Sequence, residues 1–79
     1  MLSRVGCHLC EEALVDVARV CREVGATYVV DDVDDDVALV ARYGTLVPVV
    51  FVDGVEFATW HVDPVELRRV LARPREAGR

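Results

Sequence analysis

Between residues 10 and 24 the apolar positions recur with a helical period. Leu14, Val17, Cys21 and Val24 fall on one stripe, and Glu12, Asp16, Arg19 and Glu23 on another. That spacing predicts a helix with one buried face, and Gly25 is placed to end it as the residue free to take left-handed backbone. The period then changes. Thr27-Tyr28-Val29-Val30 is a β-branched and aromatic run that reads as a short strand. A second helix is expected to run through Leu39 to Tyr43, capped by Asp34 or Asp35 and stopped by Gly44. Val49-Val50-Phe51-Val52 and Val55-Glu56-Phe57-Ala58 flank Asp53-Gly54, the strongest short signal for a two-residue hairpin, so these two strands must be antiparallel neighbours.

The last helix has the clearest start in the chain. Asp63 is the expected N-cap, Pro64 takes the first helical position and Glu66 the third, and Val62 is placed to staple against Leu67. Leu67, Val70 and Leu71 form its core face; Pro74 is expected to stop it, leaving residues 1–73 as one domain and 74–79 as a mobile polar tail. Before the first helix only residues 1–5 remain for a strand, an unusually short one. The order is then β-α-β-α-β-β-α. A helical crossover makes the first two strands parallel and the hairpin makes the last two antiparallel, which predicts an α/β fold with a mixed four-stranded sheet flanked by three helices.

Composition narrows the class. At 79 residues there is room for a single domain, and a 53% apolar content rich in valine argues against disorder. No apolar run approaches the length of a membrane span, and the first residues lack the features of a secretory leader, so a cytoplasmic protein without membrane contact is expected. The net charge of −5 disfavours nucleic acid as a partner. Much of the negative charge sits at Asp31, Asp32, Asp34, Asp35 and Asp36, a run that reads as a solvated loop feeding a helix N-terminus.

The residues that carry chemistry are Cys7-His8-Leu9-Cys10, at the junction between the first strand and the first helix. A thiolate is the species that attacks disulfides, and the free N–H groups and positive dipole end of a helix favour that anion. A cysteine there is expected to ionise well below the ~8.5 of a free thiol, in the ~3.5–7.5 range of such sites. Cys10 lies one turn further in, close enough to form a disulfide with Cys7. His8 is placed either to add positive charge beside the thiolate or simply to face solvent. Cys21, eleven residues beyond Cys10 on the same helix, is ~16 Å away along the axis and is expected to be a small buried apolar residue. His61 reads as a surface residue or as packing beside Trp60, Tyr43 as a seal on the second helix, and Phe51 and Phe57 as core or sheet-face residues.

Taken together, the CxxC after strand one, Val47-Pro48 before the third strand, the Asp-Gly hairpin and the closing helix resemble the thioredoxin fold. The chain is most similar to a small bacterial glutaredoxin-like family with the stretches seen here as Gly6-Cys7-His8-Leu9-Cys10 and Tyr43-Gly44-Thr45-Leu46-Val47-Pro48-Val49. The resemblance spans residues 2–72 and implies a cis Val47-Pro48 bond beside Cys7, with the backbone there offered to an extended substrate. It also implies that Arg4 biases the Cys7 thiolate and, with Asp63, contacts glutathione. Two departures stand out: Val5 replaces a frequent proline, and Thr59-Trp60-His61-Val62-Asp63 replaces the family's glycine-rich glutathione-binding turn.

The expected activity is thiol-disulfide exchange by a Cys7/Cys10 couple, with no metal and no tightly bound cofactor. Glutathione or a reductase is the expected source of electrons. The expected partners are disulfide-containing proteins or low-molecular-weight thiols, met by a monomer. Two other readings compete: a copper or zinc carrier using the CxxC pair, and a redox-inactive protein-binding domain of the same fold.

Overall fold

In a computed structural model, which describes residues 1–72, the elements run β1 (Leu2–Ser3), α1 (His8–Val24), β2 (Asp31–Asp32), a short 3₁₀ turn (Val33–Asp35), α2 (Val37–Tyr43), β3 (Val49–Val52), β4 (Val55–Thr59) and α3 (Pro64–Ala72). The expected tail after Pro74 lies outside the described residues. The four strands form one sheet in the order β2-β1-β3-β4. β1 and β2 are parallel, while β1 with β3 and β3 with β4 are antiparallel, so the sheet is mixed, as the order of elements predicts.

Val49 and Val50 point to opposite faces of β3, yet both are buried, so the sheet is covered on both sides. On the Val50 side, Val17, Val20 and Cys21 of α1 meet Leu67 of α3, with Phe57, Val62 and Leu71 packed around them. On the other, Tyr43 at the end of α2 sets its ring edge against Phe51 at 5.7 Å. The hairpin turns through Asp53 and Gly54, at φ 53° and 83°, the positive values that a type I′ turn requires at both central residues. The β3–β4 register shifts between Val50↔Ala58 and Phe51↔Glu56, leaving Phe57 as the extra residue of a bulge that packs against the core.

Two expectations are corrected. The strand placed at residues 27–30 is instead Asp31–Asp32, because β1 sets the ladder: Leu2 lies opposite Asp31 and Ser3 opposite Asp32. Tyr28, Val29 and Val30 precede that register and are exposed despite their strand-forming side chains. The cap of α2 is neither Asp34 nor Asp35. Asp32 accepts the N–H of Asp34 and opens the 3₁₀ turn, and Asp36, in extended backbone, accepts the N–H of Ala38 and opens the helix. Helix α1 begins at His8 with Cys7 as its N-cap, the place at the helix head that the sequence assigns to this cysteine.

A groove of about 600 Å³, lined by Met1, Cys21, Tyr28, Val52 and Leu71 among others, opens at the hairpin end of the sheet. The CxxC stands at the other end, where β1 finishes. No helix among the described residues is long and apolar enough to cross a membrane.

Candidate active site

Cys7 owes its position to a tight turn. After β1 the chain bends through Val5 and Gly6, which takes φ 78°, and the Cys7 N–H donates to the Arg4 carbonyl at 3.1 Å. Helix α1 then starts at once. The Cys7 carbonyl accepts the Glu11 N–H at 3.2 Å, and the Cys7 Sγ accepts the Cys10 N–H at 3.1 Å. The sulfur thus takes the place that a serine or aspartate oxygen occupies in an ordinary N-cap, facing the unpaired N–H groups of the first turn. Negative charge on Cys7 Sγ is favoured there by a direct donor and by the helix dipole.

Cys7 and Cys10 form a disulfide, with Cα atoms 5.2 Å apart, inside the range that a disulfide spans without backbone movement. Their environments differ. Cys10 is 1% exposed, whereas Cys7 is partly open to solvent. An outer sulfur that a substrate can reach is therefore paired with an inner one that it cannot. Cys21 is a free, buried thiol in the α1–α3 core, and burial pushes its pKa above the ordinary thiol value.

The register brings the other residues of interest to the same end of the sheet. Leu2 faces Val49 and Val49 faces Thr59, so the chain leaving β1 toward Cys7, the chain entering β3 through Val47 and Pro48, and the chain leaving β4 through Trp60 lie side by side. The Val47-Pro48 peptide is cis. Pro48 is fully buried and its carbonyl accepts the Trp60 N–H at 2.9 Å.

Arg4 is held by the protein itself. Its Nε and Nη2 donate to the two carboxylate oxygens of Asp34 at 3.0 and 2.9 Å, and its Nη1 donates to the Gly44 carbonyl at 3.1 Å. This fork ties the end of β1 to the 3₁₀ turn and to the end of α2. With both partners about two-fifths exposed, the ion pair itself is worth at most about 1 kcal/mol. His8 points along the helix surface, its Nε2 2.8 Å from the Glu12 carboxylate. Asp63 caps α3, its side chain accepting the Val65 N–H at 2.9 Å. Each of the three polar residues singled out around the cysteines therefore has a partner within the chain. Among the described residues, no group of three or more His, Cys, Asp or Glu side chains gathers to hold a metal ion.

The sequence marks Trp60 as a departure from the glycine-rich turn but not the backbone it adopts. It is non-glycine at φ 66°, and the His61 N–H donates back to the Thr59 carbonyl at 2.7 Å, which makes Trp60 the centre of a γ-turn. Bulky residues seldom take this backbone, and holding one there costs of order 1–3 kcal/mol. The indole is nevertheless fixed, with Nε1 donating to the Thr45 carbonyl at 2.9 Å, while the side chain stays 53% exposed. Asp34, the partner of Arg4, was equally hidden among its neighbouring aspartates. No local signal marks either role, because both depend on the sheet register.

A CxxC disulfide at the head of a helix, on a β-α-β-α-β-β-α sheet of order 2-1-3-4, defines a domain of the thioredoxin-like class. The chain belongs to the glutaredoxin-like family: residues 1–72 match the family model described as "Glutaredoxin-like domain (DUF836)". Similar proteins include an uncharacterized protein of Mycobacterium bovis and uncharacterized proteins from two strains of Mycobacterium tuberculosis. Each is 35% identical over 78 residues, covering 92% of this chain and 80% of the relative. No solved structure matches it.

Proposed function

We propose that this protein is a thiol-disulfide oxidoreductase that reduces disulfides through the Cys7/Cys10 couple. The observation that carries the reading is the asymmetry of the pair: a partly open Cys7 sulfur that accepts a helix-terminal N–H, next to a buried Cys10 within disulfide reach.

In the reduced protein the Cys7 thiolate attacks one sulfur of a substrate disulfide. A Cys7–substrate mixed disulfide forms, and the other substrate sulfur leaves as a thiolate and takes a proton. The Cys10 thiolate then attacks Cys7 Sγ. The intramolecular disulfide forms, and the second substrate sulfur leaves and is protonated in turn. The substrate gains two electrons and two protons, the protein loses the same, and two thiols or a dithiol of glutathione or reductase class return them. Helix α1 favours the thiolate of Cys7 as nucleophile in the first step; in the second, Cys7 Sγ is the sulfur attacked and the substrate thiolate is the leaving group. A reducing, cytoplasmic compartment suits this cycle and suits the free thiol of Cys21.

Arg4 and Asp63, the residues that the resemblance implies for glutathione, are engaged by Asp34 and by the α3 backbone, and this supports a larger disulfide substrate over glutathione itself. The test is to equilibrate the protein across a graded thiol-disulfide buffer, block free thiols by alkylation and locate the labels by mass spectrometry. The expected result is a reversible Cys7–Cys10 bridge with Cys21 reduced throughout. A pair that fails to bridge at any potential removes the dithiol mechanism.

A further inference from the structure

We infer that Trp60 is a specificity-determining residue: a fixed aromatic ledge beside the CxxC that selects disulfides in which an apolar side chain lies two or three residues from the reacting cysteine. The inference rests on the dithiol reading above and adds to it the class of substrate.

The backbone alone gives no reason for a tryptophan at this position. Its N–H reaches the carbonyls of Pro48 and Leu46, bonds that any residue except proline can make, and at φ 66° glycine would make them without steric conflict. Nor does the side chain serve the core. It is half in solvent, and its one polar atom is used to pin the ring to Thr45 rather than to fill an interior gap. Strain accepted in order to hold a large, rigid and exposed ring is the signature of a contact surface.

Position gives that surface its target. The Cys7 turn closes directly over the end of β1, and Trp60 sits two strands away through Pro48, about 10 Å at the usual strand spacing. An extended substrate advances ~3.3–3.6 Å per residue, so the side chain that meets the indole is two or three positions from the cysteine joined to Cys7. Charge separates the remaining candidates. Among the described residues of this end, Arg4 pairs with Asp34 and His8 lies against Glu12, while Arg42 and His61 are exposed alongside the acidic Glu11 and Asp63, in a chain of net charge −5. Such a surface offers little to a small thiol with two carboxylates and suits a neutral or basic protein segment carrying an apolar residue.

The experiment compares pre-reduced wild-type protein with Trp60→Gly and Trp60→Phe. Three disulfides are used: the disulfide dimer of a short basic peptide with Phe two residues from its cysteine, the same dimer with Ser in place of Phe, and oxidised glutathione. Second-order rates of Cys7–Cys10 formation are read by quenching and mass spectrometry. The wild type is expected to favour the Phe peptide over the Ser peptide by about tenfold, the lower end of what one apolar contact provides. Trp60→Gly should abolish this ratio and narrow the gap to glutathione, and Trp60→Phe should restore much of it. A fold defect would slow all three substrates together and leave the ratio alone, so the ratio reports recognition. No preference in the wild type, or a preference that survives Trp60→Gly, overturns the role of Trp60 and leaves the dithiol mechanism standing. Failure of the wild type to react with any of the three overturns both.

Discussion

Two thiols with opposite surroundings sit on one helix. Cys7 meets solvent and a helix-terminal N–H, whereas Cys21 is 4% exposed among Val17, Val20, Val50 and Leu67. Burial pushes the Cys21 pKa up, so the fold favours its neutral form. In the unfolded chain this thiol ionises first as the pH rises past about 8.5, and the native state then holds more protons than the unfolded one. Its contribution to stability is therefore complete below that pH and declines above it. With the Cys7–Cys10 disulfide kept closed, the urea midpoint of the wild type should fall more steeply between about pH 8.5 and 10 than that of Cys21→Ala, which lacks the titrating group. Equal slopes in the two proteins would show that Cys21 carries no such linkage. In the reduced protein at neutral pH, iodoacetamide should modify Cys7 well before Cys21.

Elements whose signals are local are the ones that the sequence makes legible. The Asp53-Gly54 hairpin, the Asp63-Pro64 start of α3 and the Gly25 end of α1 depend on residues next to one another, and each stands where expected. The CxxC at a helix start belongs to the same group. β2 is different: a strand exists only where a partner offers a ladder, and Leu2–Ser3 offers one to two aspartates rather than to the valines before them. The cap of α2 was hidden for a related reason, since several aspartates in a row are equivalent caps until the 3₁₀ turn uses one. Gly44 gives this contrast a measurable form. Gly25 has open space around it but φ 76°, so Gly25→Ala should cost about 1–2 kcal/mol through backbone conformation alone. Gly44 has ordinary helical angles, φ −55° and ψ −32°, yet an added Cβ would lie 2.6 Å from the Val40 carbonyl oxygen. Gly44→Ala must displace the end of α2, with a cost of about 1–3 kcal/mol, and with it the carbonyl that anchors Arg4. Urea unfolding should find both variants destabilised. A neutral Gly44→Ala would show that the end of α2 relaxes freely.

Across the whole molecule, the α1–α3 contact and the reacting Cys7 sulfur lie at different ends of α1. The α1–α3 core is built on Leu67, 2% exposed against Val17, Val20, Cys21 and Val50, and an ion pair from Arg68 to Glu23 joins the same two helices at the surface. That pair holds the Glu23 carboxyl below its usual value, chiefly through the Arg68 hydrogen bond. Val17 is ten residues beyond Cys7 on α1, about 15 Å along the axis, and the buried Cys10 and Ala13 fill the helix face between them. Truncating Leu67 to alanine removes a buried branched side chain at a cost of about 2–5 kcal/mol. In a small domain each kcal/mol lowers Tm by about 4–8 °C, so a loss of about 8–16 °C is expected even at the low end of that cost. Total stability of such domains is only about 5–15 kcal/mol, which leaves the variant folded but close to its limit. Because substitutions this far apart combine almost independently, the rate at which reduced Cys7 attacks a disulfide, measured well below the lowered Tm, should stay within about twofold of the wild type. Calorimetry and single-turnover oxidation on the same sample separate the two properties. A fall in rate that parallels the fall in Tm would mean that the head of α1 is held in place by the α3 contact, and that the Cys7 turn and its Arg4 anchor do not suffice to position the sulfur.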